Sequence, residues 1–378
     1  MKVTILKENL NNGLRIVERA SGKNITLPIL NNVLVSTEKN LLTLTTTDLE
    51  LGIKYCALSK IEKEGQITVP TKILSNFISF LPEEKIILET KNQILYITCQ
   101  NHKTQLKGQP AEDFPIIPRL EDRYSLEVNS VLFCEGLSQV VDFSVSNQAR
   151  PELSGVYLSF QKDKLQLTAT DGFRLAEKTL YFEKKNNQEV SFILPQKTAR
   201  EIINVFSEKT GKIKICFSPN QILFEYATKE ASGPQIQITS RLVEGEYPDY
   251  QGIIPQKYKL QASFSKNDLL NQIKAASVFS GKSNEVRLKV GPKSEGLEII
   301  SQNPEYGENK SFLPGKISHK DGSQAMEVTF NYRFLIDGLL NIPSPRVLFE
   351  LNGEDGPATL KPEGDSGYIY VVMPIKST

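Results

Sequence analysis

Val69-Pro70-Thr71-Lys72, Leu194-Pro195-Gln196-Lys197 and Phe330-Asn331-Tyr332-Arg333 are three forms of one short pattern. Each follows a β-rich stretch, opens an apolar segment of helical character and keeps a basic residue at its fourth position. Other fragments recur around it. Asn92-Gln93-Ile94-Leu95 returns as Asn220-Gln221-Ile222-Leu223. Leu44-Thr45-Thr46-Thr47-Asp48 is echoed by Leu167-Thr168-Ala169-Thr170-Asp171 and more faintly by Ile299-Ile300-Ser301-Gln302-Asn303. The offsets run from 123 (48 to 171) to 136 (195 to 331), about a third of the 378 residues. Periods of roughly 20–50 residues build solenoids or propellers. A period this long means three copies of a whole domain, each of ordinary domain size.

The composition, 39% hydrophobic and 24% charged, is that of a globular protein able to bury real cores. With 45 basic and 44 acidic residues the net charge is +1, which excludes a strongly basic nucleic-acid binder as a description of the whole molecule. It leaves room for charge segregated onto one face. The four cysteines, Cys56, Cys99, Cys134 and Cys216, lie far apart without a C-x-x-C pair, so a reducing compartment fits better than a disulfide framework. The start lacks the apolar core of a secretory signal, and no apolar run approaches 18 residues. A cytoplasmic protein without a membrane partner is expected.

Each third reads as strand, helix, strands, then strand, helix, strands. The predicted fold class is α+β: three similar domains of two helices on antiparallel sheets, over 1–120, 121–255 and 256–378. Apolar residues at helical spacing predict helices over 7–20, 70–80, 131–146, from 196, 267–279 and 332–340. Segments 115–122 and 251–258, rich in Pro and charge, read as linkers.

Clustered His, Cys, Asp and Glu, which catalysis or metal binding requires, are missing; His102 and His319 fall in different thirds. Neither a catalytic residue nor a cofactor is predicted. Asp171, beside Gly172, could suggest a hydrolase working with Arg174. Its counterpart Asp48 favours a turn in which the carboxylate caps local N–H groups. The helices are more suggestive. Lys7, Asn11, Arg15 and Arg19 recur every four residues opposite Leu10, Leu14 and Val17. Lys72 shares a face with Ser75, Asn76 and Ser79, Lys197 with Arg200 and Asn204, and Asn267 with Asn271 and Lys274. Such faces suit sequence-independent contact with phosphates and lack the aromatic platforms that grip single strands.

Six stretches carry a resemblance: Leu27-Pro28-Ile29-Leu30, Thr47-Asp48-Leu49-Glu50, Arg150-Pro151-Glu152-Leu153-Ser154-Gly155-Val156, Thr168-Ala169-Thr170-Asp171-Gly172-Phe173-Arg174-Leu175-Ala176, Glu244-Gly245-Glu246-Tyr247-Pro248-Asp249 and Tyr370-Val371-Val372-Met373-Pro374. In order and spacing, over essentially the whole chain, they resemble the bacterial DNA polymerase III beta subunits, the replicative sliding clamps. The resemblance implies a head-to-tail homodimer of three-domain subunits closed around duplex DNA. It implies the polymerase III alpha subunit, the clamp loader delta subunit, and other polymerases and repair proteins with clamp-binding peptides as partners. Carried over by motif, the peptide pocket comprises Leu153, Thr170, Gly172, Phe173, Arg174, Leu175, Pro248, Asn331, Val371, Val372, Met373 and Pro374, with Arg174 at hand for polar anchoring. Val371, Val372 and Met373 are expected to pack beside Leu153, Leu175 and Pro248. DNA-facing positions are Arg15, Lys23, Asn24, Lys72, Asn147, Gln148, Arg150, Lys197 and Arg200. Phe173 stands where the family commonly has His, Gly252 near a frequent Arg, and Asn24 at an Arg position. A DNA-binding structural protein without ring closure is the competing reading.

Overall fold

The computed structural model describes residues 1–22, 26–117, 120, 125–145, 149–182, 189–228, 233–292, 294–320 and 325–376. Among them are six α-helices: α1 (Lys7–Val17), α2 (Thr71–Ser79), α3 (Ser130–Val140), α4 (Gln196–Phe206), α5 (Lys266–Ser277) and α6 (Tyr332–Leu340). α1 forms because Leu10, Leu14 and Val17 bring one apolar stripe to the core, where all three are fully buried. Asn331 Oδ1 accepts the Arg333 N–H at 3.0 Å and starts α6; Asn129 Oδ1 accepts the Leu132 N–H at 3.1 Å in α3.

The threefold repeat extends to individual hydrogen bonds. The residues opening α1, α3 and α5 each donate their N–H across to a later loop: Lys7 to the Glu84 carbonyl (2.9 Å), Ser130 to Gly211 (3.0 Å) and Lys266 to Pro345 (2.9 Å). A serine closes each of these helices, its hydroxyl donating at 2.8 Å to the carbonyl three residues back: Ser21 to Glu18, Ser144 to Val141, Ser280 to Ser277. Past the last strand of each third, Gln109, Val243 and Ile375 donate to Thr68, Ile193 and Thr329 at 2.9, 3.0 and 2.8 Å.

Every third builds two antiparallel half-sheets of four strands, with a short fifth strand added at the edge of one of them in the first and last thirds, and the chain groups them into two compact units. The first unit holds residues 1–132 and 201–242. Its eight-stranded sheet runs Ser125–Asn129, Lys212–Phe217, Gln221–Tyr226, Ile236–Arg241, Leu51–Leu58, Leu41–Thr47, Asn32–Glu38, Gly65–Pro70. A half-sheet of the central third is thus joined to one of the first third. The joint places Ser240 opposite Leu51, and the Arg241 N–H donates to the Glu50 carbonyl at 2.9 Å. A second sheet, of five strands, runs Lys60–Lys63, Lys2–Leu6, Lys85–Lys91, Ile94–Cys99, His102–Lys107.

The second unit holds residues 133–200 and 243–378. Its nine-stranded sheet repeats the joint one third later. Tyr368–Val372 pairs with Arg174–Tyr181, Val372 lies opposite Arg174, and the Met373 N–H donates to the Phe173 carbonyl at 2.9 Å. Its four-stranded sheet runs Gly307–Pro314, Gly296–Asn303, Glu285–Val290, Met326–Asn331. His102–Lys107 and Gly307–Pro314 hold the positions that are paired in both joints, yet among the described residues each has a strand neighbour on one side only.

Candidate functional site

The turn that leads into the nine-stranded sheet is built from its own side chains. Thr170 Oγ1 donates to the Arg174 carbonyl at 2.7 Å and accepts the Gly172 N–H at 3.1 Å. Asp171 Oδ1 accepts the N–H groups of Phe173 (2.9 Å) and Arg174 (3.0 Å). Thr47 and Asp48 make the same four bonds around residues 49–51, at 2.7 to 3.0 Å. With Gly172 at φ 90°, the turn projects Phe173 outward, 64% exposed. Asp171 holds a loop and carries no chemistry of its own.

Below the turn, Leu175 and Val371 lie opposite each other on adjacent strands and are buried with Tyr250. Tyr157, Tyr247, Ile254 and Ile369 pack against them. Tyr157 and Tyr247 stack with centroids 4.7 Å apart. Tyr250 accepts from Thr168 Oγ1 at 2.9 Å and donates to Glu177 Oε2 at 2.6 Å. Burial, and secondarily the Glu177 charge, push the Tyr250 phenol above its ordinary range, so it remains a donor. The Tyr247 stack and the Tyr250 bonds fix the chain on either side of half-buried Pro248. Tyr157, Tyr247 and Tyr250 were not among the candidate site residues. Tyr247 and Tyr250 lie within two residues of Pro248, which was a candidate, and that proximity is the signal that could have found them.

The expectation that Val371 and Val372 face the same wall is corrected by the pleat. Val371 joins the Leu175 and Tyr250 cluster, whereas Val372 lies on the opposite face, in register with Arg174. Met373 is half-buried and Pro374 buried; Leu153 is buried at the end of the 3₁₀ turn Pro151–Leu153. Asn331 spends its side-chain oxygen on the α6 cap. Arg174 is also not at hand as expected, since Asp171 accepts from its Nε at 2.9 Å and Asp337 from its Nη1 at 2.5 Å. Burial alone would lower the pKa of this guanidinium, but the bonds and charges of those carboxylates outweigh it and keep Arg174 charged.

On the helices, Arg15, Lys72, Lys197, Arg200, Asn204, Asn267, Asn271 and Lys274 are exposed. Lys7 and Ser75 leave the predicted faces: both are buried, and Lys7 Nζ bonds Glu83 Oε1. Of the arginines expected on these faces or toward DNA, Arg19 has Glu201 at 3.4 Å, Arg200 has Asp142 at 2.9 Å and Arg150 has Glu152 at 3.0 Å. Lys23, Asn24, Asn147 and Gln148 lie outside the described residues. Among the described residues no group of three metal-ligating side chains occurs, and no helix is long and apolar enough to cross a membrane.

The DNA polymerase III beta subunit N-terminal domain matches residues 1–118, its central domain 127–249 and its C-terminal domain 251–376. The chain belongs to the DNA polymerase III beta subunit family. The beta sliding clamp of Synechococcus elongatus is 27% identical over 383 residues, covering 100% of this chain and 99% of that relative. The crystal structure of the DNA polymerase III beta subunit from Pseudomonas aeruginosa is 26% identical and covers both chains fully, with a TM-score of 0.92. The beta subunit from Thermotoga maritima, likewise 26% identical with full coverage, gives 0.90. The α+β architecture of three clamp domains is that of the family, and so is the function: a DNA sliding clamp for polymerase processivity, without enzymatic activity.

Proposed function

We propose that two copies of the chain close head to tail around duplex DNA, each contributing clamp domains over 1–120, 121–255 and 256–378. One observation carries this: two strands whose equivalents are paired at both internal joints have an open side. Equivalence aligns Lys107 with Arg241 and Met373, and Gly307 with Leu51 and Arg174. Transferred to His102–Lys107 of one copy and Gly307–Pro314 of the other, the joint sets Leu106 opposite Gly307 and Gln105 opposite Glu308. Lys103 and Lys107 then lie diagonal to Glu308, an arrangement of opposite charge that stabilises antiparallel pairs. Ile73 of α2, Phe80 just beyond it and Val278 after α5 are 56%, 87% and 69% exposed, apolar surface that such an interface would cover.

Closure makes retention topological, so weak phosphate contacts suffice and the ring can slide. Arg15, Lys72, Arg150, Lys197 and Arg200, together with Lys23, Asn24, Asn147 and Gln148, are the proposed DNA contacts. The apolar wall of Leu153, Leu175, Pro248, Val371, Met373 and Pro374 below the turn of Thr170, Gly172 and Phe173, with Val372 and Asn331 shaping its support, suits short apolar peptides. Its proposed ligands are the polymerase III alpha subunit, the clamp loader delta subunit and other polymerases and repair proteins, in the bacterial cytoplasm at the nucleoid.

Light scattering should give a mass near twice 42.4 kDa. Chains loaded on nicked circular DNA should survive a salt wash that strips them from the same DNA once linearised. A single-chain mass with equal loss from both forms would replace this reading with a DNA-binding protein lacking closure.

A further inference from the structure

Arg174 sits where a polar anchor for peptides is expected, yet its guanidinium is surrounded. Besides the two carboxylates, the Phe334 ring lies 4.6 Å and the Phe143 ring 5.2 Å from its central carbon. The side chain is 13% exposed. Asp337 and Phe334 are three residues apart on α6 and therefore share a helix face. One side chain thus ties together the 170–174 turn, the 3₁₀ turn Val141–Phe143 and α6.

We propose that Arg174 is a positioning residue of the pocket and not a peptide contact. It holds Phe334 against the exposed Phe173 ring, and this aromatic pair selects peptides bearing an aromatic side chain. The inference rests on the pocket reading given above. Two features favour it. First, one guanidinium faces two carboxylates, so an arriving peptide carboxylate meets surplus negative charge and no open cation. Second, the Phe173 and Phe334 centroids are 6.4 Å apart with planes at 27°, within the range where ring quadrupoles attract. Phe173 keeps its outer surface open, and nothing lies within 4 Å of where a Gly172 Cβ would stand. A peptide ring can join this pair; a leucine gains the burial but not the quadrupole term.

The chain has no tryptophan, so Phe173→Trp provides a unique reporter in the full-length protein. Without peptide, Asp337→Asn or Arg174→Gln in that background should red-shift the emission and at least double acrylamide quenching. Unchanged emission and quenching would overturn the positioning role. Two synthetic peptides differing only in Phe or Leu, each with a free and an amidated C-terminus, are then titrated against the chain without the reporter. The expected result is a preference for Phe of about fivefold, lost in both Arg174→Gln and Asp337→Asn, with amidation immaterial. Preference retained in Asp337→Asn, or a cost of amidation confined to chains with Arg174, would show direct contact and overturn the proposal. A chain that binds none of the peptides overturns the pocket reading and the selectivity claim with it, while the reporter still decides the positioning role.

Discussion

At the scale of single residues, what could be read in advance was what acts locally. Asp48 and Asp171 cap N–H groups two and three positions on, so the repeat of Thr-Asp was enough to recognise the turn. Lys7 and Arg174 were misjudged because their partners, Glu83 and Asp337, lie 76 and 163 residues away, and no window of sequence brings them together. The two turns differ at one instructive place. Where the second has Gly172 at φ 90°, the first has Leu49 at φ 79°, a left-handed conformation that costs a side chain with a Cβ roughly 1–2 kcal/mol. Leu49 is 45% exposed and so has limited burial to lose. Leu49→Gly should therefore stabilise the chain by about 0.5–1 kcal/mol, the relief of strain less the greater entropy of an unfolded glycine. A higher urea midpoint at unchanged slope is the expected result; a lower midpoint would mean that Leu49 packs better than its exposure implies.

At the scale of elements, apolar periodicity found the six helices and the alternating strands such as Ile94–Cys99, but it carried the first and third helices on past Val17 and Val140, where 3₁₀ turns follow, and it set no end for the helix from 196. It passed over His102–Lys107 (HKTQLK) and Ile236–Arg241 (IQITSR), whose outward positions are polar. Each pairs with the preceding strand of its own third; on the other side Ile236–Arg241 meets a strand of the first third, while His102–Lys107 has no neighbour among the described residues. Those are the strands that join half-sheets, so the arrangement of sheets was less legible than their content. Polar groups inside the sheets carry a pH signature. Glu350, buried on Arg346–Leu351, accepts from Gln261 (2.9 Å), Thr359 (2.7 Å) and Lys361 (2.8 Å). Burial opposes its ionisation, but the Lys361 and Thr359 bonds prevail and its pKa falls below the ordinary carboxylate range. A depressed folded pKa contributes stability that is present above the unfolded value and lost as pH falls through the folded one. Glu350→Gln should cost about 1–3 kcal/mol at pH 7, with the gap to wild type closing below about pH 4. Urea melts at pH 7, 5 and 3 check this; a gap independent of pH would assign the cost to packing.

At the scale of the whole molecule, exposed charge and open strand edges govern what the chain can hold. The exposed basic positions on separate helices should act together, so Arg15, Lys72 and Lys197 all changed to Glu should weaken DNA association and flatten its salt dependence by about three counterions while the mass stays that of the wild type. An unchanged salt slope would place the DNA contacts elsewhere. The edges allow a sharper test. An open strand edge is an aggregation hazard unless something pairs with it, and the alternation of a strand fixes which N–H groups await a partner. The Gly108 N–H turns inward, donating to the Gln93 carbonyl at 2.8 Å. By alternation Lys107, Gln105 and Lys103 present theirs outward, as Arg241 and Met373 do at the two internal joints. Proline at 105 therefore deletes an outward donor and adds a ring at the edge without removing a hydrogen bond of the chain's own sheet. Proline at 104 deletes an inward one. Gln105→Pro should consequently keep the urea midpoint near that of the wild type while halving the mass in light scattering and abolishing retention on circular DNA. Thr104→Pro should lower the midpoint as well. If Gln105→Pro still forms dimers with wild-type concentration dependence, the two copies meet through some surface other than His102–Lys107, and the pairing inferred from the internal joints is wrong.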